Sequence, residues 1–328
     1  MTQPFTSTIC IGRLLIDLPA DAHAAITTSY QRMESKPPVR IRDFAELEHQ
    51  LTQRAKEYKA VHMIRTKDTD DLWRAGGYDP DKLYAPTQLI GFETDSALQQ
   101  AVLGYHPKPD SSVALVELHK IVDQKDHVFE AKNVPGAGAY AQAYRTLWSA
   151  GASFRPGARG SLAEGPGFCV EGGMFADPGK PPIRESFTLV ATFASHPDVR
   201  FVIDANAIDK VNRGEPSLKH RVDSELGILR AGTQGRVDVL ERGGLKAAGQ
   251  EGYQIAVSAP YDMVPNTRLL KFFWSADGVP NDVTRPFMEI AMTVQPTNDG
   301  QSTVRDDDQA RELWKQLMQG IRIRPGAV

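Results

Sequence analysis

The sequence predicts an α+β protein of two related domains, each a mainly antiparallel sheet with helices packed on it. Strand-like runs outnumber helical stretches several to one, which favours antiparallel sheets with helices on one side. The chain has 328 residues, more than the roughly 150 expected for a single domain. A similar ending also recurs in its two halves, and this recurrence suggests that the domains are related.

The recurring ending is a helical stretch followed by Arg-Pro-Gly. Residues 140–157 read YAQAYRTLWSAGASFRPG, and residues 309–326 read QARELWKQLMQGIRIRPG. Placing Gly157 on Gly326 aligns two apolar stripes with helical spacing, and each stripe predicts the buried face of a helix. The stripes are Ala141, Tyr144, Trp148 and Ala152 in the first half, and Ala310, Leu313, Leu317 and Ile321 in the second. The halves are a duplication, or else two short helices resemble each other by coincidence.

The halves also begin alike, on cysteine-bearing strands that contain Cys10 and Cys169. Between them, residues 156–166 (PGARGSLAEGP) are rich in glycine and proline, as is typical of a linker. The predicted domains are therefore residues 1–157 and 158–328.

Local patterns place the elements of the first half. The run from Ile9 to Leu18 predicts one buried strand, and weaker alternation predicts strands over 25–35 and 38–42. Asp43 with Glu46 has the spacing of a capping box and predicts a helix start. The buried stripe of that helix comprises Phe44, Leu47, Leu51, Ala55 and Tyr58. Further strands are predicted near 87–93, 98–105, 112–122 and 126–131.

In the second half, Phe287 to Val294 alternates cleanly between apolar and polar residues, which predicts a half-buried strand. One helix is predicted to begin near Ser217, and the last helix near Asp306, where acidic residues complement the helix dipole. The other strands are predicted near 168–175, 186–194, 199–203, 236–241, 252–259 and 268–275.

Composition excludes several classes of protein. A net charge of -3 argues against nucleic acid as a partner. The longest apolar run is shorter than the roughly 18 residues of a membrane-spanning helix. The first seven residues are polar, unlike a signal peptide, so the chain is either cytoplasmic or the mature part of an exported protein. Two cysteines fit a reducing compartment or a single disulfide equally well.

Motifs for catalysis, metals and cofactors are not convincing, and we expect none of the three. The histidines lack zinc-site spacing, and no serine lies in a nucleophile elbow. Glu117 and His119 share a strand face and are the nearest approach to an acid–base pair, although a solvated sheet edge explains them as well. The aspartates over 68–81 lack the spacing of a calcium loop and predict a solvated loop. A long chain without such a site favours a binding protein.

Two motifs carry a resemblance to a known family. Residues 10–19 (CIGRLLIDLP) resemble the C-x-GR-x-x-x-DLP opening of certain type VI secretion immunity proteins, and residues 167–173 (GFCVEGG) resemble the strand that starts their second domain. These proteins are the cognate partners of phospholipase effectors of the Tle type, in the fourth lipase class. The resemblance spans essentially the whole chain.

The resemblance implies a periplasmic antitoxin that clamps a lipase effector with both domains and blocks substrate entry or lid opening. In an oxidising compartment, Cys10 and Cys169 are either a disulfide or two buried thiols at equivalent positions. Because a lipase mouth is apolar, aromatic anchors are expected on the inhibitor. Our candidates are Trp73, Tyr78, Tyr105 and Phe154, any of which is alternatively part of the core. Rival functions are a two-domain ligand-binding or envelope protein with a small-molecule cleft, and an enzyme that uses His119 and Glu117.

Overall fold

The computed structural model confirms the α+β class, with antiparallel strand pairing and helices on the sheets. It describes residues 5–157, 164–177, 184–210, 218–232, 235–261, 267–297 and 299–328. The predicted linker and the residue Ser217 lie partly or wholly outside these ranges.

The elements fall into two series in chain order. The first series comprises β1 (Phe5–Ile11), β2 (Leu14–Pro19), β3 (Ala22–Tyr30), β4 (Met33–Ser35), β5 (Val39–Arg40), α1 (Phe44–Ala60), α2 (Lys67–Ala75), α3 (Pro80–Leu83), β6 (Leu89–Asp95), β7 (Gln100–Tyr105), β8 (Ala114–Val122), β9 (Lys125–Val134), a 3₁₀ turn (Ala137–Ala139), α4 (Tyr140–Ser153) and β10 (Phe154–Pro156). The second series comprises β11 (Gly167–Val170), β12 (Gly173–Ala176), β13 (Glu185–Phe193), β14 (Val199–Asn206), α5 (Leu218–Gly232), β15 (Asp238–Ala247), β16 (Gln250–Pro260), β17 (Arg268–Ala276), β18 (Phe287–Val294), α6 (Asp307–Gln319) and β19 (Ile321–Ile323).

The two series share one strand order. In the first, the strands lie in the order β6-β7-β8-β9-β4-β3, and in the second they lie in the order β15-β16-β17-β18-β14-β13. Each series has helical structure before its four-stranded meander, and each ends on one helix and one short strand. The same chain path is therefore followed twice.

The closing strands of the two series are exchanged. β19 of the second series pairs with β2 of the first, and β10 of the first pairs with β12 of the second. Ile321 lies opposite Ile16, and Phe154 lies opposite Phe175, at the same step of each small sheet. Each opening hairpin is thus completed by the end of the other series.

This exchange makes the compact units differ from the predicted domains. One unit comprises Met1–Thr28, Arg159–Cys169 and Gly179–Val328, and the other comprises Ser29–Ala158 and Val170–Pro178. We call them the C-terminal unit and the N-terminal unit. The change of unit at 158/159 lies beside the predicted 157/158 boundary, but residues 1–28 fold with the C-terminal unit because β2 pairs with β19.

The predicted helical stripe is correct for α6 and wrong for α4. Ala310, Leu317 and Ile321 are buried, and Leu313 packs against the same core. On α4, Ala141 and Ala152 are exposed instead. Its buried positions are Leu147, Ala150 and Gly151.

The exchanged strands explain the error. Pairing Phe154 with Ile321, as the sheets do, aligns Leu147, Ala150 and Gly151 with Trp314, Leu317 and Met318, all of them buried. The Arg-Pro-Gly triplets are then out of step, so they do not mark equivalent positions.

Gly12 and Arg13 turn the chain between β1 and β2, so the single strand predicted over 9–18 is a hairpin. Gly12 has a φ of 57°, and a Cβ there would lie 2.8 Å from the ring of Phe187. Arg13 is buried and forms an ion pair with buried Glu185, with Nε donating to Oε2 at 3.0 Å. Its Nη1 donates to the carbonyl oxygen of Ala327 at 2.6 Å. One arginine therefore fixes the opening hairpin to β13 and to the C-terminus.

Replacing Arg13 with methionine should lower the free energy of unfolding by about 3–5 kcal/mol, because the buried carboxylate of Glu185 loses its counter-charge. Arg322→Met is the matched control, since Arg322 pairs with Asp17 at the surface and such pairs contribute at most about 1 kcal/mol. Urea unfolding with the disulfide state held constant measures both variants. Equal losses in the two variants would contradict the anchoring role of Arg13.

Cys10 and Cys169 form a disulfide in the structure, with Cα atoms 5.7 Å apart and a sequence separation of 159. Their strands also meet through the backbone, since the N–H of Gly12 donates to the carbonyl oxygen of Cys169 at 2.9 Å and the N–H of Cys169 donates to the carbonyl oxygen of Gly12 at 2.8 Å. The disulfide lies within the C-terminal unit.

Oxidised protein unfolded in denaturant without reductant should show no titratable thiol. The Cys10→Ser, Cys169→Ser double variant should lose about 4–5 kcal/mol of unfolding free energy, because the bridge closes a very long loop of the unfolded chain. Chemical unfolding of both proteins under non-reducing conditions measures the loss. Two free thiols per chain would contradict the bridge.

Candidate partner-binding surface

The connection between α1 and β6, residues 61–88, differs sharply between the two series. It contains α2 and α3, whereas α5 and β15 are joined by residues 233–237 alone, too few for two helices. We call residues 61–88 the insertion. The aspartates of this region do not lie in a solvated loop as predicted, because Thr66 and Asp79 cap two short helices. The capping box of Thr66 with Thr69 was the overlooked signal.

The insertion presents apolar side chains to solvent. α2 has no buried residue although one of its faces is apolar. Leu72 is 68% exposed, Ile64 59% and Tyr78 52%. Trp73 is half-buried and meets Tyr78 edge-to-face, with ring centroids 5.6 Å apart. Trp73 and Tyr78, two predicted interface residues, thus form one partly exposed aromatic pair.

Ion pairs and backbone hydrogen bonds hold the insertion in place. Arg65 binds Asp70 at 2.8 Å and Asp81 at 2.9 Å, and its guanidinium lies over the ring of Tyr84. The N–H of Gln88 donates to the carbonyl oxygen of Val61 at 2.9 Å, which closes the base of the insertion. The apolar face is therefore presented by an ordered segment.

Tyr105 and Phe154 do not belong to this surface, so their prediction as exposed anchors is wrong. Tyr105 is buried on β7, where it stacks on Tyr58 and donates to Glu117 at 2.8 Å. Phe154 is buried on β10, where its ring packs against Phe175. The glycine-bearing turns near them suggested loop tips, but both side chains point into cores.

Glu117 and His119 belong to a buried charge network on β8. His119 Nδ1 lies 2.8 Å from Asp126 Oδ2, and His119 Nε2 lies 3.3 Å from Glu117 Oε2. Arg54 of α1 binds Glu117 Oε2 at 2.9 Å and lies over the ring of Tyr105. Three strands and one helix are joined by these contacts.

Burial alone would lower the pKa of His119, but its hydrogen bonds to Asp126 and Glu117 outweigh burial and raise that pKa to about 9. Burial alone would raise the pKa of Glu117, but the hydrogen bond from His119 and the charge of Arg54 lower it to about 2. Both residues are buried. The network is therefore charged at neutral pH and closed to a substrate in solution.

Neither a metal site nor a membrane-spanning helix is found in the part of the chain that the structure describes. No group of three or more His, Cys, Asp or Glu side chains there is arranged to hold a metal ion. Nor do the helices there reach the length and apolarity needed to cross a membrane.

A sequence model described as the C-terminal domain of Tle cognate immunity protein 4 matches residues 162–326, half of the chain. The chain belongs to this immunity protein family. No curated protein sequence matches it significantly.

Solved structures share the fold of the immunity protein along the whole chain. The apo immunity protein TplEi of the type VI secretion system of Pseudomonas aeruginosa has a TM-score of 0.77 at 20% identity, with 97% of each chain covered. A crystal structure of a Tle4–Tli4 complex has a TM-score of 0.78 at 20% identity, with 99% of each chain covered. TplEi bound to a peptide called "L" has a TM-score of 0.73 at 20% identity, with 99% of this chain and 100% of that chain covered.

The charge network gives this family member a pH-dependent stability. The folded chain keeps a proton on His119 up to about pH 9, whereas a histidine with the ordinary pKa of 6.5 releases it earlier. The stabilisation is therefore complete below about pH 6.5 and is lost as the pH rises towards 9. The contribution of Glu117 has the opposite sense: it is present above about pH 4.5 and is lost as the pH falls towards 2.

Urea unfolding of the wild type and His119→Gln should therefore show a large difference in stability near pH 6 that shrinks steadily to about pH 9.5. His23→Gln, at an exposed position on β3, is the control and should track the wild type at every pH. A stability difference for His119→Gln that is constant over this range would contradict the charged network.

Proposed function

We propose that the chain is the immunity protein of a type VI secreted lipase effector, and that it inactivates the effector by binding it. Membership of the Tle cognate immunity protein 4 family supports this proposal, as does the shared fold with a chain of a Tle4–Tli4 complex. Such an inhibitor covers a surface of its partner and needs no chemistry of its own, so we propose that the chain is not an enzyme.

The insertion is our proposed docking surface on the N-terminal unit. Its exposed apolar residues, Ile64, Leu72 and Tyr78, are the observation that carries this assignment. Partner-binding hot spots are rich in Trp and Tyr, and an ordered segment loses little conformational entropy on binding. The insertion also exposes charged residues such as Asp71 and Lys82, the residue type that forms the polar rim of an interface.

Inhibition of the lipase would follow from covering the apolar entrance to its active site. We propose that residues of both predicted domains, 1–157 and 158–328, clamp the effector and block substrate access or lid opening. The recurring strand order supports an origin of these two domains by duplication.

The periplasm is the proposed compartment. The Cys10–Cys169 disulfide suits an oxidising environment, where such bridges form and persist. The toxin and its inhibitor would meet there.

A small-molecule cleft is less well supported. A cavity with a volume of only about 20 Å³ lies in the C-terminal unit beside Gly12, Phe168 and Val283. Typical ligand sites have volumes of about 300–1,000 Å³. The two charged residues of the lining, Arg13 and Glu185, already bind each other.

Replacing Trp73 and Tyr78 with alanine should weaken binding of the lipase effector encoded at the neighbouring locus by about 10- to 100-fold, since truncated aromatic anchors carry much of the binding energy. Isothermal titration calorimetry gives the affinity, and phospholipid hydrolysis by the effector with added protein gives the inhibition.

Ile228→Ala is the matched control, since Ile228 is 65% exposed on α5, a helix outside the insertion. It should bind as the wild type does. Wild-type protein that neither binds nor inhibits the effector would refute the proposed function. Unchanged binding by Trp73→Ala, Tyr78→Ala would refute only the docking surface.

A further inference from the structure

α4 carries an aromatic ladder formed by Tyr140, Tyr144 and Trp148. The centroids of Tyr140 and Tyr144 are 5.9 Å apart, and those of Tyr144 and Trp148 are 5.4 Å apart and stacked. All three side chains are partly exposed. They lie next to the buried face of α4. The sequence pattern predicted Tyr144 and Trp148 to be on that face.

The second series provides an internal comparison for this ladder. When the buried faces of α4 and α6 are aligned through Phe154 and Ile321, the ladder positions fall on Asp307, Arg311 and Lys315. Those charged residues lie at least partly in solvent, and Arg311 binds its neighbour Asp308. The same chain path thus tolerates a charged helix face here, so the fold itself does not require three aromatic side chains.

The contacts of the three ladder members differ. The side chain of Tyr140 lies against Gly91 and Gly104, where an added Cβ would come within 2.5 Å of its hydroxyl oxygen and 2.1 Å of its ring. Tyr144 donates its hydroxyl hydrogen to Glu93 on β6, and Trp148 extends the stack along the helix. Tyr144 and Trp148 also keep part of their surface in solvent, where a partner can contact it.

The start of α4 lies next to the insertion. α3 ends the helical part of the insertion and packs on the 3₁₀ turn, where a Cβ on Gly136 would lie 2.4 Å from the Cα of Leu83. That turn leads directly into Tyr140, and Glu93 lies on the strand that follows the insertion. The ladder thus begins beside α3, the last helix of the insertion.

We propose that Tyr144 and Trp148 are a second contact for the lipase effector, beside the contact made by Trp73 and Tyr78. This proposal rests on the proposed function and extends its surface along α4. The ladder suits an apolar surface that also offers hydrogen-bonding groups, since Tyr and Trp combine large apolar area with a polar tip. Stacking holds the rings in place before binding, which reduces the entropy that docking costs.

The test replaces the ladder with the residues of α6. Tyr144→Arg, Trp148→Lys introduces the side chains found at the equivalent positions, both good helix formers, and the new arginine can still bind Glu93. We expect unfolding like that of the wild type, measured by thermal melts, and binding of the effector weakened by at least about tenfold in calorimetry.

Two controls accompany this variant. Tyr144→Phe, Trp148→Phe keeps the stacked rings and should retain most of the affinity. Arg311→Ala, Lys315→Ala changes the equivalent face of α6 and should leave binding unchanged. If Tyr144→Arg, Trp148→Lys melts early, the single Trp148→Lys variant takes its place.

The outcomes separate this proposal from the one before it. A wild type that does not bind the effector refutes the proposed function. A wild type that binds, together with a folded Tyr144→Arg, Trp148→Lys variant of equal affinity, refutes the ladder alone. The ladder is also refuted if sedimentation shows that the rings hold two copies of this chain together, or if the variant loses binding only to phosphatidylglycerol vesicles.

Discussion

The exchange of closing strands is the constraint on which the rest of the structure depends. Because β19 completes the hairpin that opens the chain, residues from the two ends of the chain must come together before this small sheet is complete. The buried pair of Arg13 and Glu185 stabilises this long-range arrangement, since each charge is costly to bury without the other. Cys10 lies on β1 of that hairpin, and its bridge to Cys169 joins β1 covalently to β11.

Because the same chain path is followed twice, a comparison of the two series shows which positions the fold constrains and which positions can vary. The buried positions of α4 and α6 agree in place although their side chains differ in size, as Gly151 and Met318 show. Large differences occur at the surface, in the insertion and in the ladder. A core tolerates only compensated changes, whereas a surface is free to vary. A specific partner contact is therefore most easily accommodated at these two places.

Sequence patterns correctly predicted the elements whose buried faces follow from local periodicity. The stripe of α1 is buried at Phe44, Leu47, Leu51 and Ala55, and Asp43 caps that helix by accepting from the N–H of Glu46. The alternation of β18 is also correct, with Met288, Ile290, Met292 and Val294 buried. The hairpin at Gly12, the exchange of β10 and β19, and the burial of Tyr105 depend on distant partners, so no local periodicity encodes them. Trp73 and Tyr78 were assigned to an interface from residue type alone; Tyr78 is exposed and Trp73 is partly buried, and their role in binding stays a prediction.

The charge network links the core of the N-terminal unit to its proposed surface. Arg54 lies on α1, and its ion pair with Glu117 fixes this helix on β8. α1 ends at Ala60, immediately before the insertion, so the network sets where the insertion begins. A buried network with satisfied partners rigidifies its surroundings, and a rigid surface loses less entropy on binding. Charges that resemble a catalytic pair in the sequence therefore hold α1 in place, and the chain passes from α1 directly into the insertion that carries Trp73 and Tyr78.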